Sequence, residues 1–311
     1  MRRLLALLLV ALLGVACSAT LLDAPPGSGK VIIDADVGEL NDDAQAMLML
    51  TGAPGIDVLG ITTVGGNTWP EDGAAQARRQ LGLAGRAGIP VLAGASASPT
   101  PRPGYSGTAG RPRPAPVPGD EAAEFIADQV RRHPGAVSII VLGPATNLAR
   151  AVQRHPDIVP LVRQVVQMGG GLDPDAAEFN LWFDPAAAKE VAALPFRRLT
   201  VLPMDAARDL FVTPEVYRRL LAGPDTPLKP LLRRVMDPAR AEDGVFAWDA
   251  VAAAVFLDPT LATDVDATAT RRGPGSTSAG GGFVSLVRSV DAGRFWDVYV
   301  ERLITHHLVN R

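Results

Sequence analysis

The sequence predicts an α/β fold, a single domain with a mostly parallel central sheet flanked by helices. Short apolar runs alternate with segments of helical periodicity from residue 30 onward, which is typical of parallel strands covered on both faces. The chain is 47% hydrophobic, which is enough for a large core, and no break in composition marks a second domain. Helical patterns dominate the end of the chain, so we expect a helical C-terminal third.

Strands and helices are predicted in alternation. Apolar runs predict strands at 31–36, 56–64, 89–95, 136–143, 162–170 and 199–205. Helical spacing predicts helices between them, at 42–51, 71–87, 120–132, 145–155 and 185–193. Further helices are predicted near the C-terminus, at 216–223, 228–236, 248–257 and 293–308. The long loop at 98–119 is rich in Pro, Gly and Arg, and loops of this length are usually functional or disordered.

The N-terminus has the pattern of a bacterial export signal. Two arginines precede an apolar run at 4–15 that is too short to span a bilayer comfortably. Cys17, the only cysteine, follows small residues as in a bacterial lipobox, although Gly14 stands where an aliphatic residue is usual. We therefore expect residues 1–17 to be a signal peptide and lipobox, with Cys17 lipidated as the mature N-terminus. Ordinary secretion, or a cytoplasmic chain with an apolar N-terminus, are the alternatives.

The remaining chain is predicted to be a tether followed by one domain. Residues 18–29 are rich in small residues, Pro and Gly, and the domain then occupies 30–311. A lipidated chain would lie on the outer side of the cytoplasmic membrane, with the lipid as its only membrane contact. The formal net charge of -3 gives no indication of nucleic-acid binding, which requires a basic surface.

Four aspartates lie close together after the first predicted strand. Asp34, Asp36, Asp42 and Asp43 repel one another at this density unless a partner compensates their charge. Calcium prefers oxygen ligands, and Asp36 and Asp43 are candidates to share such an ion. A water on this ion next to a carboxylate base is an effective nucleophile. The alternative is that Asp42 and Asp43 only cap the following helix.

Polar residues also follow several other predicted strands. Ligands bind beyond the carboxyl ends of the strands in an open α/β sheet, so these residues are expected to converge on one edge. They are Thr62, Thr63 and Asn67 after the second strand, Thr146 and Asn147 after the fourth, Glu178 and Asn180 after the fifth, and Met204 and Asp205 after the sixth. The pattern predicts one ligand site assembled from several strand ends.

The motifs that contain these residues resemble those of one enzyme family. DADVGELNDDAQAM followed by LGITTVGGN is similar to the opening of the nucleoside hydrolases, the inosine-uridine preferring ribohydrolases, in the form whose first turn is two residues longer. Later segments resemble the family in order: IPVLAGA, VLGPATNLARAV, QMGGG with AEFNLWFDPAAA, WDAVAAAVFLDP and FWDVYVERL. The resemblance implies calcium-dependent hydrolysis of the N-glycosidic bond of ribonucleosides, to ribose and free base.

The resemblance also implies a role for each matching residue. The implied Ca²⁺ ligands are Asp36, Asp43, the main-chain carbonyl of Leu142, and Asp249. Asp36 would also be the general base on the metal-bound water, and Asp34 would support the loop from behind. The implied ribose contacts are Asp42, Asn67, Asn180 and Asp249 for the 2′- and 3′-hydroxyls, and Glu178 for the 5′-hydroxyl. Members commonly form dimers or tetramers, so a homodimer or homotetramer is expected.

Departures from the family pattern leave alternatives open. Trp248 stands where many members carry a His that protonates a leaving purine, so it forms either a stacking wall for the nucleobase or part of the core. The segment 172–177 is shorter than usual and leaves room for a 5′-substituted compound. Asp249 is also placed to cap a helix. The alternative functions are a non-catalytic surface-tethered nucleoside- or ribosyl-binding protein and a hydrolase of another ribosyl compound.

Overall fold

An eight-stranded sheet forms the centre of the computed structural model, which describes residues 28–96, 120–172, 178–239, 244–269 and 283–304. The strands are β1 (Gly29–Ala35), β2 (Ile56–Thr63), β3 (Val91–Ala93), β4 (Val137–Val141), β5 (Gln164–Met168), β6 (Arg198–Leu202), β7 (Ala262–Ala269) and β8 (Phe283–Val290). Their order across the sheet is β3-β2-β1-β4-β5-β6-β8-β7. Neighbouring strands are parallel except the antiparallel pair β7–β8, which confirms the predicted mostly parallel sheet.

Helices flank this sheet. They are α1 (Asp42–Thr51), α2 (Pro70–Leu83), α3 (Asp120–Arg132), α4 (Thr146–Arg154), α5 (Phe179–Phe183), α6 (Pro185–Ala193), α7 (Pro214–Ala222), α8 (Lys229–Val235), α9 (Trp248–Leu257) and α10 (Ala292–Ile304). Short 3₁₀ turns lie at Pro156–Leu161, Met204–Ala207 and Pro259–Leu261. Four helices have the predicted bounds, namely α1, α3, α6 and α9. The predicted 71–87 helix ends earlier, because Gly85 adopts a positive φ of 71° after it.

The antiparallel edge of the sheet is a feature that the sequence patterns do not predict. The described side chains of β7 are largely exposed from Thr263 to Ala267, so the strand lacks the apolar run that marks the other strands. It is recognisable only through its pairing with β8, which in turn pairs with β6. The C-terminal third is therefore helical with two additional strands.

Strand β1 lies at the point where the connectivity of the sheet reverses. The chain runs from β1 outward through β2 and β3, and it then returns to place β4 on the other side of β1. Asp34 of β1 is consequently in register with Thr62 on one side and Val141 on the other. Ligands of open α/β sheets bind beyond the carboxyl ends of the strands at such a point.

Apolar packing places two helix N-termini side by side beyond these strand ends. Alternate residues of β1 face opposite layers, with Val31 and Ile33 in one core cluster and Ile32 in the other. Helices α1 and α9 are buried along nearly their whole length and pack against each other. A helix that is apolar on all sides must lie in the interior, so the first turns of both helices are held inside the protein.

Several sequence predictions fall outside the described residues. They are the signal peptide with Cys17, residues 18–27 of the tether, the whole 98–119 loop, and residues 173–177. Among the described residues, no helix has both the length and the hydropathy needed to cross a bilayer.

Candidate active site

A cavity of about 560 Å³ opens at the carboxyl edge of the sheet. Of the residues that the sequence predicts for the site, eight line this cavity: Asp36, Asp42, Asn67, Leu142, Glu178, Asn180, Trp248 and Asp249. Asp34 and Asp43 do not line it and are fully buried. The structure therefore brings together residues from 36 to 249, and each of them lies just beyond a strand or in the first turn of a helix.

Three carboxylates form a compact group where α1 and α9 begin. Asp42, Asp43 and Asp249 each offer an oxygen, and the three oxygens lie within 4.8 Å of one another. The N-termini of α1 and α9 carry partial positive charge, which favours these anions. The resemblance implies Asp36 rather than Asp42 as the third carboxylate ligand. In the structure Asp36 adjoins this group, and its main-chain N–H donates to Asp43 Oδ1 at 3.0 Å.

Helix capping does not account for these aspartates. Asn41 caps α1 and accepts a hydrogen bond from the N–H of Ala44 at 3.2 Å. Asp42 and Asp43 therefore lie in the first turn, where the helix end favours acidic residues, but neither is the N-cap residue. Asp249 likewise follows the α9 cap position, which Ala247 occupies without a side-chain hydrogen bond.

Burial and mutual repulsion make the carboxyl cluster hard to ionise. Burial, followed by the charge of Asp43, raises the pKa of Asp42 to about 7. The same two causes raise the pKa of Asp36 and of Asp249 well above the usual range. Burial also raises the pKa of Asp43. A bound cation would remove this penalty by favouring the charged forms.

The donor set fits a hard divalent cation. All three carboxylates present oxygen, and within the described part of the chain Asp249 Oδ1 is buried without a hydrogen-bond partner. Oxygen-only sites suit Ca²⁺, Mg²⁺ or Mn²⁺ rather than soft metals. The Leu142 carbonyl, the fourth implied ligand, accepts a hydrogen bond from Asn180 Nδ2 at 2.7 Å and keeps a second lone pair.

Two glycines make room for the Asp36 carboxylate. A Cβ on Gly66 would overlap Asp36 Oδ2, and one on Gly143 would lie 2.7 Å from Asp36 Oδ1. The same Asp36 Oδ2 accepts the main-chain N–H of Asn67. The GG and LGP motifs thus bring backbone from beyond β2 and β4 against the carboxylate. This fixes the orientation of Asp36 toward the cavity that it lines.

Asp34 braces the site from within the sheet. Its Oδ1 accepts hydrogen bonds from Thr62 Oγ1 at 2.7 Å and from Asn147 Nδ2 at 2.8 Å. Asn147 Oδ1 in turn accepts the N–H of Ala95 at 2.8 Å. Burial raises the pKa of Asp34 to about 7, against the lowering effect of these two donors. The contacts connect β1 with β2, with the end of β3 and with α4, as expected of a supporting residue.

Glu178 and Asn180 are held by the backbone that follows β5. Glu178 caps α5, where it accepts the N–H groups of Asn180 at 2.8 Å and Leu181 at 3.0 Å. It also accepts the N–H of Gly170 at 3.1 Å. Gly170 has a positive φ of 86°, which explains the glycine there. Glu178 therefore lines the cavity with a carboxylate whose position is already fixed.

An apolar part of the cavity wall surrounds Trp248. Its ring centroid lies 4.1 Å from that of Phe246, which lies 4.7 Å from that of Phe211. Backbone pairing of the 244–247 segment with residues 210–212 holds this aromatic group in place. Among the described residues, the Trp248 Nε1 donor is buried without a partner.

Sequence reasoning missed some cavity residues. Beside Met204, which the strand-end pattern includes, the cavity is also lined by Phe246, Val245, Met168, Val235 and Gln45. The FAWD sequence indicated Trp248 but not Phe246, which lies two residues before it. Met168 and Met204 could be predicted, because each lies at the carboxyl end of a strand. Gln45 could not be found, since its position within an apolar helix gives no signal.

Comparison with known proteins assigns this site to an enzyme class. Residues 31–297 match the family model of the inosine-uridine preferring nucleoside hydrolases, so the chain belongs to that family. Enzymes of this class are N-glycosyl hydrolases, and the chain is accordingly a nucleosidase. Because the match covers most of the chain, it includes every strand end that borders the cavity.

Individual relatives agree with this assignment. An inosine-uridine preferring nucleoside hydrolase of Leishmania major is 32% identical over 257 residues, which is 75% of this chain and 80% of the relative. A probable uridine nucleosidase of Oryza sativa is 38% identical, and that match spans 51% of this chain and about half (53%) of the relative. A solved plant nucleoside hydrolase superimposes with a TM-score of 0.70 at 26% identity, covering 90% of this chain and 99% of that one.

Proposed function

We propose that this chain is an exported, calcium-dependent ribonucleoside N-ribohydrolase. The observation that carries the proposal is the meeting of Asp42, Asp43 and Asp249 beside Asp36 at a cavity that also has an aromatic wall. Carboxylates suit the positive charge that develops on ribose during glycosidic cleavage. The aromatic wall suits a flat, apolar base. One cavity therefore contains both halves of a site for a nucleoside.

Calcium is the cation that we propose for the carboxylate group. Asp43, Asp249, Asp36 and the carbonyl of Leu142 would hold it, with Asp42 close enough to contribute an oxygen. When bound, it would supply positive charge that orients the ribose diol and makes a neighbouring water more acidic. Calcium accepts irregular arrangements of oxygen ligands, whereas magnesium demands a near-ideal octahedron. The mixed carboxylate and carbonyl set therefore favours calcium.

The ribose is held by residues that surround this group. Asp42, Asn67, Asn180 and Asp249 are proposed to bind the 2′- and 3′-hydroxyls, and Glu178 to bind the 5′-hydroxyl. Hydroxyls can donate to each carboxylate and to each amide oxygen. Glu178 retains acceptor capacity for this, because its carboxylate has about four lone-pair positions and uses three for backbone N–H groups.

Asp36 is the proposed general base. The attacking water forms a bond to C1′ and gives its proton to Asp36, while the C1′–N bond breaks and its electron pair leaves with the base. The hydrogen bond that Asp36 accepts from the Asn67 N–H holds it in a single orientation. The negative residues around the ribose stabilise the positive transition state. The departing base acquires its proton from solvent or from a residue that is not among the described residues of the aromatic wall.

The charge of the cavity favours neutral ribosyl substrates. Five carboxylates line it, those of Asp36, Glu39, Asp42, Glu178 and Asp249. A 5′-phosphate would be repelled by Glu178, so nucleosides are preferred over nucleotides. Trp248 and Phe246 are proposed as the stacking wall for the base.

Export is the remaining part of the proposal. It rests on the signal-peptide pattern of residues 1–17 and on the lipobox-like position of Cys17. We propose that Cys17 carries a lipid that tethers the domain outside the cytoplasmic membrane. Labelling with a radioactive fatty acid, compared with a Cys17→Ala variant, tests this, and an unlabelled native chain would leave ordinary secretion.

The test of activity is release of free base from a panel of purine and pyrimidine ribonucleosides. It is run with residues 18–311, which lack the signal peptide and Cys17, with calcium and after chelation. We expect calcium-dependent release that falls by about 10²–10⁴-fold in Asp36→Asn, the usual range for loss of an acid–base group. Asp225→Asn is the matched control, because Asp225 has a 98% exposed side chain and lies outside the cavity.

Two other results would each contradict part of the proposal. Calcium-dependent binding of ribonucleosides without turnover would favour a non-catalytic binding protein. Turnover only of 5′-substituted ribosyl compounds would favour the alternative of a hydrolase for another ribosyl compound. Its substrate would occupy the space left by the short 172–177 segment.

A further inference from the structure

The turn between β1 and α1 contains a strained residue that the proposed mechanism leaves unexplained. Leu40 has a φ of 54°, and within the described part of the chain it is the one non-glycine residue with a positive φ. L-residues avoid this left-handed conformation because Cβ crowds the following carbonyl. The Leu40 side chain is also buried. Such strain persists only where the surrounding structure enforces it.

Two buried glutamines enforce the conformation of Leu40. Gln80, on α2, accepts the N–H of Leu40 at 3.1 Å and donates to the carbonyl of Gly38 at 2.9 Å. Gln45, on α1, donates to the carbonyl of Leu40 at 3.2 Å. Tyr299, on α10, donates its hydroxyl to Gln45 Oε1 at 2.8 Å. All of these groups are buried, so water does not readily replace the bonds.

The same turn connects Leu40 to the carboxylate group. Asn41 follows Leu40 and accepts the N–H of Gly38 at 2.8 Å. Asn41 Nδ2 donates to Asp43 Oδ2 at 2.8 Å, and Asp43 Oδ1 accepts the N–H of Asp36 at 3.0 Å. A series of hydrogen bonds thus leads from Gln80 through Gly38 and Asn41 to Oδ2 of Asp43.

We infer that Gln80 is a positioning residue for the carboxylate of Asp43, with Gln45 and Tyr299 supporting it. Gln80 holds Leu40 in the left-handed conformation, and the turn then presents Asn41 to Asp43. Gln80 does not line the cavity, so it acts through the turn and not on the substrate. The inference rests on the proposed function only in taking Asp43 as a cation ligand.

The experiment compares Gln80→Met with the unaltered chain, both as residues 18–311. Methionine has a similar length and fills the space without the amide. The matched control is Gln167→Met, because Gln167 is also buried but lies on β5 and lines a separate, smaller cavity. Calcium affinity is measured by calorimetry, and hydrogen exchange of peptides covering residues 37–44 is measured without metal. Circular dichroism confirms that each variant is folded.

We expect Gln80→Met to weaken calcium binding by about tenfold or more, the usual effect of removing a group that orients a metal ligand. Exchange across 37–44 is expected to quicken in this variant and not in Gln167→Met. Unchanged calcium affinity together with unchanged exchange in folded Gln80→Met would overturn the inference.

A milder variant keeps the inference testable if Gln80→Met does not fold. Tyr299→Phe removes only the hydroxyl that supports Gln45, and we expect smaller changes in the same direction. Unaltered exchange and affinity in Tyr299→Phe would then overturn the inference. Failure of the unaltered chain to bind calcium would instead refute the proposed function, and quickened exchange in Gln80→Met would show that Gln80 still holds the turn.

Discussion

Single glycines decide whether Asp36 can occupy its position. Gly66 and Gly143 approach the two carboxylate oxygens from opposite sides of the strand-end crevice, where any Cβ would displace the carboxylate. Neither glycine has the positive φ that usually explains a required glycine. Space, not backbone conformation, is therefore the reason for glycine at these two positions.

Gly66→Ala is expected to lower activity strongly without unfolding the protein. The added methyl overlaps Asp36 Oδ2, and misplacement of a reacting group by about 1 Å can reduce rate by about 10²-fold. The measurement is kcat/KM for the preferred ribonucleoside together with Tm. Gly82→Ala is the control, because a Cβ there meets no atom within 4 Å. A Gly66→Ala enzyme with normal kcat/KM would contradict the tight fit around Asp36.

At the scale of elements, an ion-pair network fastens the β1–α1 turn to two helices. Glu39 accepts from Arg79 Nη1 of α2 at 2.7 Å and from Arg234 of α8 through two nitrogens, at 2.7 and 3.0 Å. Arg234, followed by Arg79, holds the pKa of Glu39 at about 2. Val235 of α8 lines the cavity, so the network fixes one side of its wall.

Glu39→Gln is expected to raise KM several-fold with a smaller effect on kcat. Removing the charge frees α8 from the turn, although a pair this exposed contributes only about 0.2–1 kcal/mol. Because salt screens exposed ion pairs, added salt should raise the KM of the native enzyme more than the KM of the variant. The test is KM against ionic strength, with Glu215→Gln as control because Glu215 pairs only locally with Arg218. Equal salt dependence of KM in the native enzyme and in Glu39→Gln would exclude a role for the network.

No pH effect between 5 and 9 is expected from Glu39, because its pKa lies far below that range.

For the whole molecule, the buried carboxyl groups link stability to pH and to metal. The pKa values of Asp34 and Asp42 are raised to about 7 in the folded chain, against about 3.8 when unfolded. The folded state therefore holds more protons between these values. Stability that is present below pH 4 is lost as pH rises toward 7. A bound cation opposes this loss because it favours the ionised carboxylates.

Without metal, the protein is expected to be less stable at pH 8 than at pH 5. We expect Tm to fall by at least roughly 2–4 °C, the shift that about 1 kcal/mol produces in a domain of this size. Calcium should raise Tm more at pH 8 than at pH 5, because protonation competes with binding. Scanning calorimetry in chelator and in calcium measures both. An apo protein that gains stability with rising pH would contradict the assigned pKa directions.

Much of the fold and of the site could be predicted from local patterns. The apolar runs predicted six parallel strands, and the bounds of α1, α3, α6 and α9 were predicted to the residue. The exposed strand β7 could not be predicted, since only pairing with β8 makes it a strand. The supporting role of Asp34 was implied by the resemblance to the nucleoside hydrolases.

The sequence by itself determined the chemistry that this protein has available. It contains the aspartates, the strand-end polar residues and the motifs of a nucleoside hydrolase, because these depend on residue type and short-range order. Only the tertiary structure decided which carboxylates meet. Asp42 and Asp249 are separated by 207 positions, yet the packing of α1 against α9 places their oxygens within 4.8 Å. The roles of Gly66 and Gln80 were decided in the same way, because close approach and buried hydrogen bonding arise between segments that are distant in the chain.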